Sequence, residues 1–171
     1  MSDGKLTDLA PSPSLQRRDS FGRLTLIAWN SELSGKKASG ARWLAAVDGS
    51  ECSLRAVAAI ARLIGIGQGD AVDLVNVQPW MSKEAAETEL ARNAWAATAQ
   101  ARSLISVAEI PCSTYALMGE DATSIVNLAE ELGSLAICIG SHGLTAAESV
   151  LLGSVTCKVL HLTKAPVLIV R

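Results

Sequence analysis

The sequence is poor in aromatic residues and lacks the features that mark several classes of protein. Aromatic side chains make up only 4% of its 171 residues although 49% are hydrophobic, so aliphatic residues and alanine must build the core. No apolar run approaches the length of a membrane span. The formal net charge is −2, which gives no electrostatic reason to expect nucleic acid as a partner. The composition therefore predicts one folded domain that binds neither membrane nor nucleic acid.

Cysteine is scarce as well, and its spacing is informative. The sequence has no CxxC pair, and its four cysteines are scattered: Cys52, Cys112, Cys138 and Cys157. This pattern favours reduced thiols over a disulfide framework. The basic residues near the N-terminus are not followed by a continuous apolar segment with a cleavage site, so we expect no secretory signal. Together these features predict a cytoplasmic protein.

Residues 1–40 differ in composition from the rest of the chain. They are rich in Ser and Gly and contain Pro11 and Pro13, which favours a flexible N-terminal extension that buries too little apolar surface to fold. One apolar stretch, residues 24–29, could dock on the domain or on a partner. Because no second strand or helix accompanies it, we expect a mostly disordered arm that is dispensable for folding.

From Arg42 onward, strand and helix patterns alternate. Short apolar runs predict five strands, near residues 43–47, 71–77, 112–118, 135–139 and 166–170. Apolar residues at helical spacing predict four helices between the strands, which begin near Ser50, Ser82, Asp121 and Val155. Strands and helices that alternate in this way predict an α/β domain over residues 41–171, with an open parallel sheet covered by helices on both faces.

The most specific pattern lies near the C-terminus. Gly140, Gly143 and Gly153 follow an apolar strand with the spacing G-x2-G-x9-G-S. Glycines after a strand expose backbone N–H groups, and such groups at a helix N-terminus bind phosphate oxygens. Ligands of open α/β sheets bind at the carboxyl ends of strands. If the first and fourth strands are neighbours, Asp48 after the first strand faces this glycine loop, and the two loops line one crevice.

The glycine pattern resembles the nucleotide-binding signature of the universal stress protein family, and the resemblance extends over roughly residues 42–171. It implies an adenine nucleotide alpha hydrolase-like fold, an open five-stranded parallel sheet in the order 3-2-1-4-5. It also implies a dimer, and the apolar last strand favours a homodimer that pairs through that edge. The intact glycine pattern resembles that of the ATP-binding members, so ATP, with Mg²⁺ or Mn²⁺, is the implied ligand.

The resemblance also implies a set of ligand-binding residues, in which the acidic residue after the first strand contacts the adenosine moiety and the glycine loop holds phosphate and ribose. The predicted set is Ala46, Val47, Asp48, Ser50, Val77, Ile139, Gly140, His142, Gly143, Gly153, Ser154, Val155 and Thr156. The sequence departs from the family pattern at Asn76, Ser134 and Ile139, which concerns the adenine pocket rather than the phosphate loop.

Several of these residues have simpler explanations. Asp48 and His142 could be turn residues, and Ser154 could be a helix N-cap, a phosphate ligand or both. The implied function is an ATP-binding stress-response switch or interaction module with an unidentified protein partner. A slow ATPase or autophosphorylating enzyme and a nucleotide-free interaction domain remain alternatives. The glycine motif contains no cation and no Walker lysine, so we predict no catalytic residue and at most slow turnover.

Overall fold

The computed structural model describes residues 9–30, 40–144 and 151–171. In this part of the chain the elements follow one another as β1 (Leu15–Arg18), β2 (Leu24–Asn30), β3 (Arg42–Ala46), α1 (Glu51–Gly65), β4 (Ala71–Gln78), α2 (Lys83–Val107), β5 (Cys112–Met118), α3 (Asp121–Leu132), β6 (Ala136–Gly140), α4 (Ser154–Leu162) and β7 (Val167–Val170). Within the described ranges, every helix is too short or too polar to cross a bilayer.

The strands form one sheet in the order β1-β2-β5-β4-β3-β6-β7. The five strands from β3 onward are parallel and stand in the predicted order, with the first and fourth of them, β3 and β6, side by side. Apolar side chains of α1 and α2 pack on one face of the sheet, and those of α3 and α4 pack on the other. The prediction of an α/β domain with helices on both faces is confirmed.

The sheet is larger than predicted, because two antiparallel strands precede Arg42. β2 pairs with β5, and β1 pairs with β2. Leu24, Ile27 and Trp29 are buried against α2 and β5. The predicted count of five strands is therefore wrong, and residues 15–30 are strands and a turn rather than a flexible arm. Their apolar side chains have no local partner and find one only at the distant β5 edge.

The remaining parts of the predicted extension, residues 1–8 and 31–39, lie outside the described residues. The hairpin formed by β1 and β2 is tied to both helical layers by ion pairs of β1. Arg17 pairs with Glu131 of α3, and Arg18 pairs with Glu87 of α2. All four side chains are largely exposed, so each pair contributes little to stability. The buried apolar residues of β2 therefore hold the hairpin in place.

Helix starts follow local rules, with one instructive departure. The hydroxyls of Ser50 and Ser82 accept first-turn N–H groups of α1 and α2, as predicted. In α3, however, Asp121 is the first helical residue, and Glu120 is the N-cap, because its carboxylate accepts the N–H of Thr123 at 2.8 Å. The side chain of Asp121 is therefore not used as a cap and borders a cleft at the carboxyl edge of the sheet.

Candidate functional site

A cleft of about 320 Å³ opens where β3, β4 and β6 reach their carboxyl ends, between the start of α3 and the start of α4. It brings together twelve of the thirteen predicted site residues: Ala46, Val47, Asp48, Val77, Ile139, Gly140, His142, Gly143, Gly153, Ser154, Val155 and Thr156. The exception is Ser50, a buried residue whose hydroxyl caps α1 and does not line the cleft.

Asp48 joins the two loops that flank the cleft. One carboxylate oxygen accepts the N–H of Ser50 at 2.9 Å, which forms a turn, and the other accepts the N–H of Leu144 at 3.1 Å. Asp48 is thus both a turn residue and a link to the glycine loop. A Cβ atom at Gly143 would lie 2.7 Å from the Asp48 carboxylate. The missing side chain at Gly143 therefore permits this close approach.

Gly140 has a structural reason to be glycine that the sequence did not reveal. It ends β6, where the first turn of α1 packs against it. A Cβ atom at Gly140 would lie 2.8 Å from Cβ of Cys52 and 3.0 Å from the backbone nitrogen of Ser53, closer than real side chains approach. Part of the glycine signature therefore serves the contact between α1 and the sheet rather than a ligand.

Gly153 sets the start of α4. Its N–H donates to the carbonyl of Ser141 at 2.8 Å, and it occupies the N-cap position without a side chain to accept first-turn N–H groups. Ser154 is the first helical residue, so the interpretation of Ser154 as the N-cap is wrong. Thr156 anchors the same turn by donating its hydroxyl to the carbonyl of Gly140 at 2.8 Å. The positive end of the α4 dipole therefore faces the cleft.

The ring of His142 holds the glycine loop together. Its Nε2 contacts the carbonyl of Leu151, and its Nδ1 lies 2.9 Å from the hydroxyl of Ser141. A carbonyl can only accept, so Nε2 donates to Leu151. His142 thereby joins the chain on both sides of residues 145–150, which lie outside the described residues. This geometry indicates a positioning role within the loop.

Sequence reasoning missed six lining residues, namely Ser53, Val75, Asn76, Asp121, Ile125 and Leu144. Asn76 is buried, and its Nδ2 donates to the carbonyl of Val47 at 2.8 Å, while its Oδ1 accepts from Gln78. This chain of hydrogen bonds fixes the end of β3 beside the cleft. The departure from the family pattern at Asn76 was the available signal, whereas nothing local distinguished Asp121 from an ordinary cap.

The cleft is acidic. Asp48 and Asp121 line it, and none of its described lining residues is Lys or Arg. Partial burial raises the pKa of Asp121, and the charge of Glu120 raises it further. The pKa of Glu120 itself is lowered to about 2, mainly by the N–H of Thr123 and also by Lys158, whose Nζ lies 3.1 Å from the Glu120 carboxylate.

The described residues contain no group of three or more His, Cys, Asp or Glu side chains that could hold a metal ion. Mg²⁺ is commonly bound through one or two carboxylates together with the phosphates of a substrate. Asp48 and Asp121 are two such carboxylates on one cleft. They therefore fit a cation that arrives with a nucleotide, and they do not form a separate metal site.

Known proteins share this fold. A solved universal stress protein in complex with cAMP is 24% identical, with a TM-score of 0.63 over 78% of this chain and 99% of that one. Another, from Archaeoglobus fulgidus in complex with dAMP, is 22% identical, with a TM-score of 0.58 over 77% of this chain and 97% of that one. At these identities the likeness shows the fold alone.

A curated relative, universal stress protein YxiE of Bacillus subtilis (strain 168), is 42% identical over 62 residues. That alignment spans 36% of this chain and 42% of the relative, so the match covers less than half of either protein. The model of the universal stress protein family matches residues 41–171, from the residue before β3 to the last residue. Because this match covers most of the chain, the chain belongs to the universal stress protein family.

Proposed function

We propose that this protein binds an adenine nucleotide, ATP with Mg²⁺, in the cleft and acts as a nucleotide-dependent stress-response switch or interaction module. One observation carries the proposal: the three glycines of the motif, Asp48 and the open first turn of α4 border one cleft at the carboxyl edge of the sheet. Solved universal stress proteins of the same fold contain cAMP and dAMP, which supports an adenine nucleotide as the ligand.

The two ends of the cleft suit the two ends of a nucleotide. Val77 and Ile139 supply apolar surface for the base, and the Asp48 carboxylate is the acceptor for a ribose hydroxyl. The N–H groups of the first α4 turn, from Ser154 to Thr156, are the phosphate donors, because Gly153 brings no side chain to satisfy them. Asp48 and Asp121 would hold Mg²⁺ together with the phosphates, and the cation would neutralise phosphate charge.

Signalling requires that a partner sense the bound state. We propose a homodimer that pairs through β7, an edge strand whose four residues are all apolar and half-buried. The opposite edge, β1, carries Arg17 and Arg18 and is exposed, so it is a poor edge for pairing. We place the protein in the cytoplasm, consistent with its four free cysteines. A protein partner would read the nucleotide state of this dimer.

Binding is favoured over rapid catalysis. Efficient phosphoryl transfer requires cations that neutralise the transferred group and a positioned base. The described lining residues include no Lys or Arg, and the imidazole nitrogens of His142 are used by Ser141 and Leu151. Any ATP hydrolysis or autophosphorylation is therefore expected to be slow, well below the rates of about 1–100 per second that are typical of kinases.

The proposal is tested by purifying the protein without added nucleotide, denaturing it, and identifying released nucleotides by chromatography and mass spectrometry. In a second arm, nucleotide-free protein is heated with MgATP. At one hundred times the dissociation constant, binding should stabilise the fold by about 2.7 kcal/mol, a rise in Tm of roughly 5–11 °C. Gly153→Val should abolish the rise. An unchanged Tm in millimolar MgATP would instead favour a nucleotide-free interaction domain.

A further inference from the structure

The charge of the cleft is unusual for a site that receives phosphates. Asp48 and Asp121 line it, and no basic side chain does so within the described ranges. Among the described lining residues, Asp48 and Asp121 therefore supply negative charge that no Lys or Arg offsets.

The two carboxylates belong to different elements that face the same space. Asp48 follows β3 and reaches the backbone of Leu144 in the glycine loop, whereas Asp121 begins α3 on the far side of β4. Partial burial and the charge of Glu120 raise the pKa of Asp121, the charge of Lys158 lowers it, and the charge of Asp48 adds a smaller rise. A phosphate chain that extends from the α4 terminus would therefore meet negative charge from two directions.

Neither Lys158 nor Arg171, two basic residues near this end of the sheet, lines the cleft. Lys158 of α4 pairs with Glu120 outside the cleft. Arg171 follows Val170, whose carbonyl accepts the N–H of Ser141, but Arg171 does not line the cleft either. Phosphate binding is thus left to neutral N–H groups at the start of α4, which carry only about half a positive charge in total. Those donors suit one phosphate group better than an extended, fully ionised chain.

We propose that Asp121, together with Asp48, makes the cleft selective for ligand charge: it accepts a nucleoside monophosphate or the Mg²⁺ complex of a triphosphate and rejects the metal-free triphosphate. This inference rests on the proposed function. The cation comes with the ligand, and Asp121 acts through its charge on the space that the phosphates enter. Asp121 is in this sense a specificity-determining residue.

The experiment measures affinity by calorimetry for three probes: AMP, ATP with Mg²⁺, and ATP with EDTA. Each probe is tested on nucleotide-free protein and on Asp121→Asn. For the unmodified protein, metal-free ATP should bind at least about tenfold more weakly than MgATP, because two like charges act at short range. Asp121→Asn should tighten binding of metal-free ATP by about 3- to 10-fold and leave AMP affinity within about twofold.

Glu130→Gln is the matched control. Glu130 is an exposed acid of the same helix, nine residues further along, and it does not line the cleft. This spacing places it about 13 Å along the helix axis from Asp121, beyond the screening length of about 8 Å at physiological salt. Glu130→Gln changes the net charge of the protein by the same amount as Asp121→Asn does. It should leave the ratio of MgATP affinity to metal-free ATP affinity unchanged.

The outcomes separate the inference from the function on which it rests. If none of the three probes binds, the proposed function fails. If MgATP and metal-free ATP bind equally well and Asp121→Asn changes neither, the protein binds nucleotides but the charge selectivity is overturned. If Asp121→Asn abolishes MgATP binding and leaves the affinity for metal-free ATP unchanged, Asp121 acts only as a ligand of the cation, and its role in excluding the metal-free triphosphate is overturned.

Discussion

The carboxylate of Asp48 accepts the backbone N–H of Leu144 at 3.1 Å, which links two residues 96 positions apart in the chain. The bond joins the end of β3 to the loop after β6, the two neighbouring strands at the centre of the cleft. Its other oxygen accepts the N–H of Ser50. Because both loops depend on one carboxylate, the shape of the cleft depends on it too.

Asp48→Ala should lower both stability and nucleotide affinity. It leaves the N–H groups of Ser50 and Leu144 without this acceptor, which should cost about 0.5–1.5 kcal/mol in the free energy of unfolding, because water can reach both groups. Asp48→Asn is the control, since its amide oxygen still accepts one N–H. Urea unfolding and calorimetry with MgATP measure the two effects. Unchanged values for Asp48→Ala would show that the link is dispensable.

Alanine substitutions at two glycines of the signature should have different effects. At Gly140 an added methyl group meets Cys52 of α1, so Gly140→Ala should destabilise the fold by about 1–3 kcal/mol. At Gly143 it meets the Asp48 carboxylate, so Gly143→Ala should chiefly weaken nucleotide binding. Gly65→Ala meets nothing within 4 Å and is the control. Equal losses of Tm for Gly140→Ala and Gly143→Ala would contradict this division of roles.

The N-terminal hairpin should be required for stability, contrary to the expectation from composition. Trp29 is 5% exposed and packs on the ring of Trp95, with centroids 5.1 Å apart. Trp29→Ala should therefore cost about 3–5 kcal/mol. Phe21→Ser at the exposed turn of the hairpin is the control and should change stability by less than about 0.5 kcal/mol.

Deletion of residues 1–30 tests the whole hairpin. It would uncover the β5 edge and the apolar surface of α2 that β2 buries. The truncated protein should unfold at lower urea concentration and self-associate, because an open apolar edge pairs with other chains. Circular dichroism and light scattering measure these effects. A truncated chain that is monodisperse and as stable as the full chain would show that the hairpin is dispensable.

Ile169→Pro should disrupt a dimer formed through β7. Ile137 and Ser141 donate to the carbonyls of Pro166 and Val170, so even-numbered residues of β7 face β6. By alternation, the N–H of Ile169 points outward. Proline there removes an edge donor and leaves the β6 ladder intact. Ile169→Val is the control. Sedimentation at about tens of micromolar should show monomer only for the proline variant, and a monomeric unmodified protein would rule out the dimer.

Glu120 should make a pH-dependent contribution to stability. Its pKa is lowered from an ordinary value of 4.5 to about 2 in the folded protein. Because the ionised carboxylate is favoured in the folded protein, it stabilises the fold at any pH above the pKa of the unfolded chain. This contribution is lost as the pH falls from about 4.5 towards 2. Glu120→Gln should therefore have a lower Tm than the unmodified protein at pH 7, and the gap should narrow towards pH 2. A constant gap would contradict this expectation.

Local patterns predicted most of the domain for a physical reason. Helix periodicity, serine caps and short apolar strands depend on residues a few positions apart, and β5 has the predicted bounds, 112–118. The order of the parallel strands came from the family resemblance and agrees with the structure. The glycine spacing and Asp48 likewise indicated the cleft, because the carboxyl ends of parallel strands meet at one edge.

Long-range contacts decided the rest. Composition made residues 15–30 look disordered, since the surface that buries Leu24 and Trp29 belongs to β5 and α2. The charge of the cleft also became evident only from the tertiary structure. The sequence predicted Asp121 as an ordinary N-cap, whereas Glu120 is the N-cap in the structure and leaves Asp121 free to line the cleft. From Arg42 onward, the sequence by itself determined which segments become strands and helices and where the glycines lie. Only the tertiary structure decided which sheet edge is covered and which side chains share the cleft, because those depend on contacts between residues far apart in the chain.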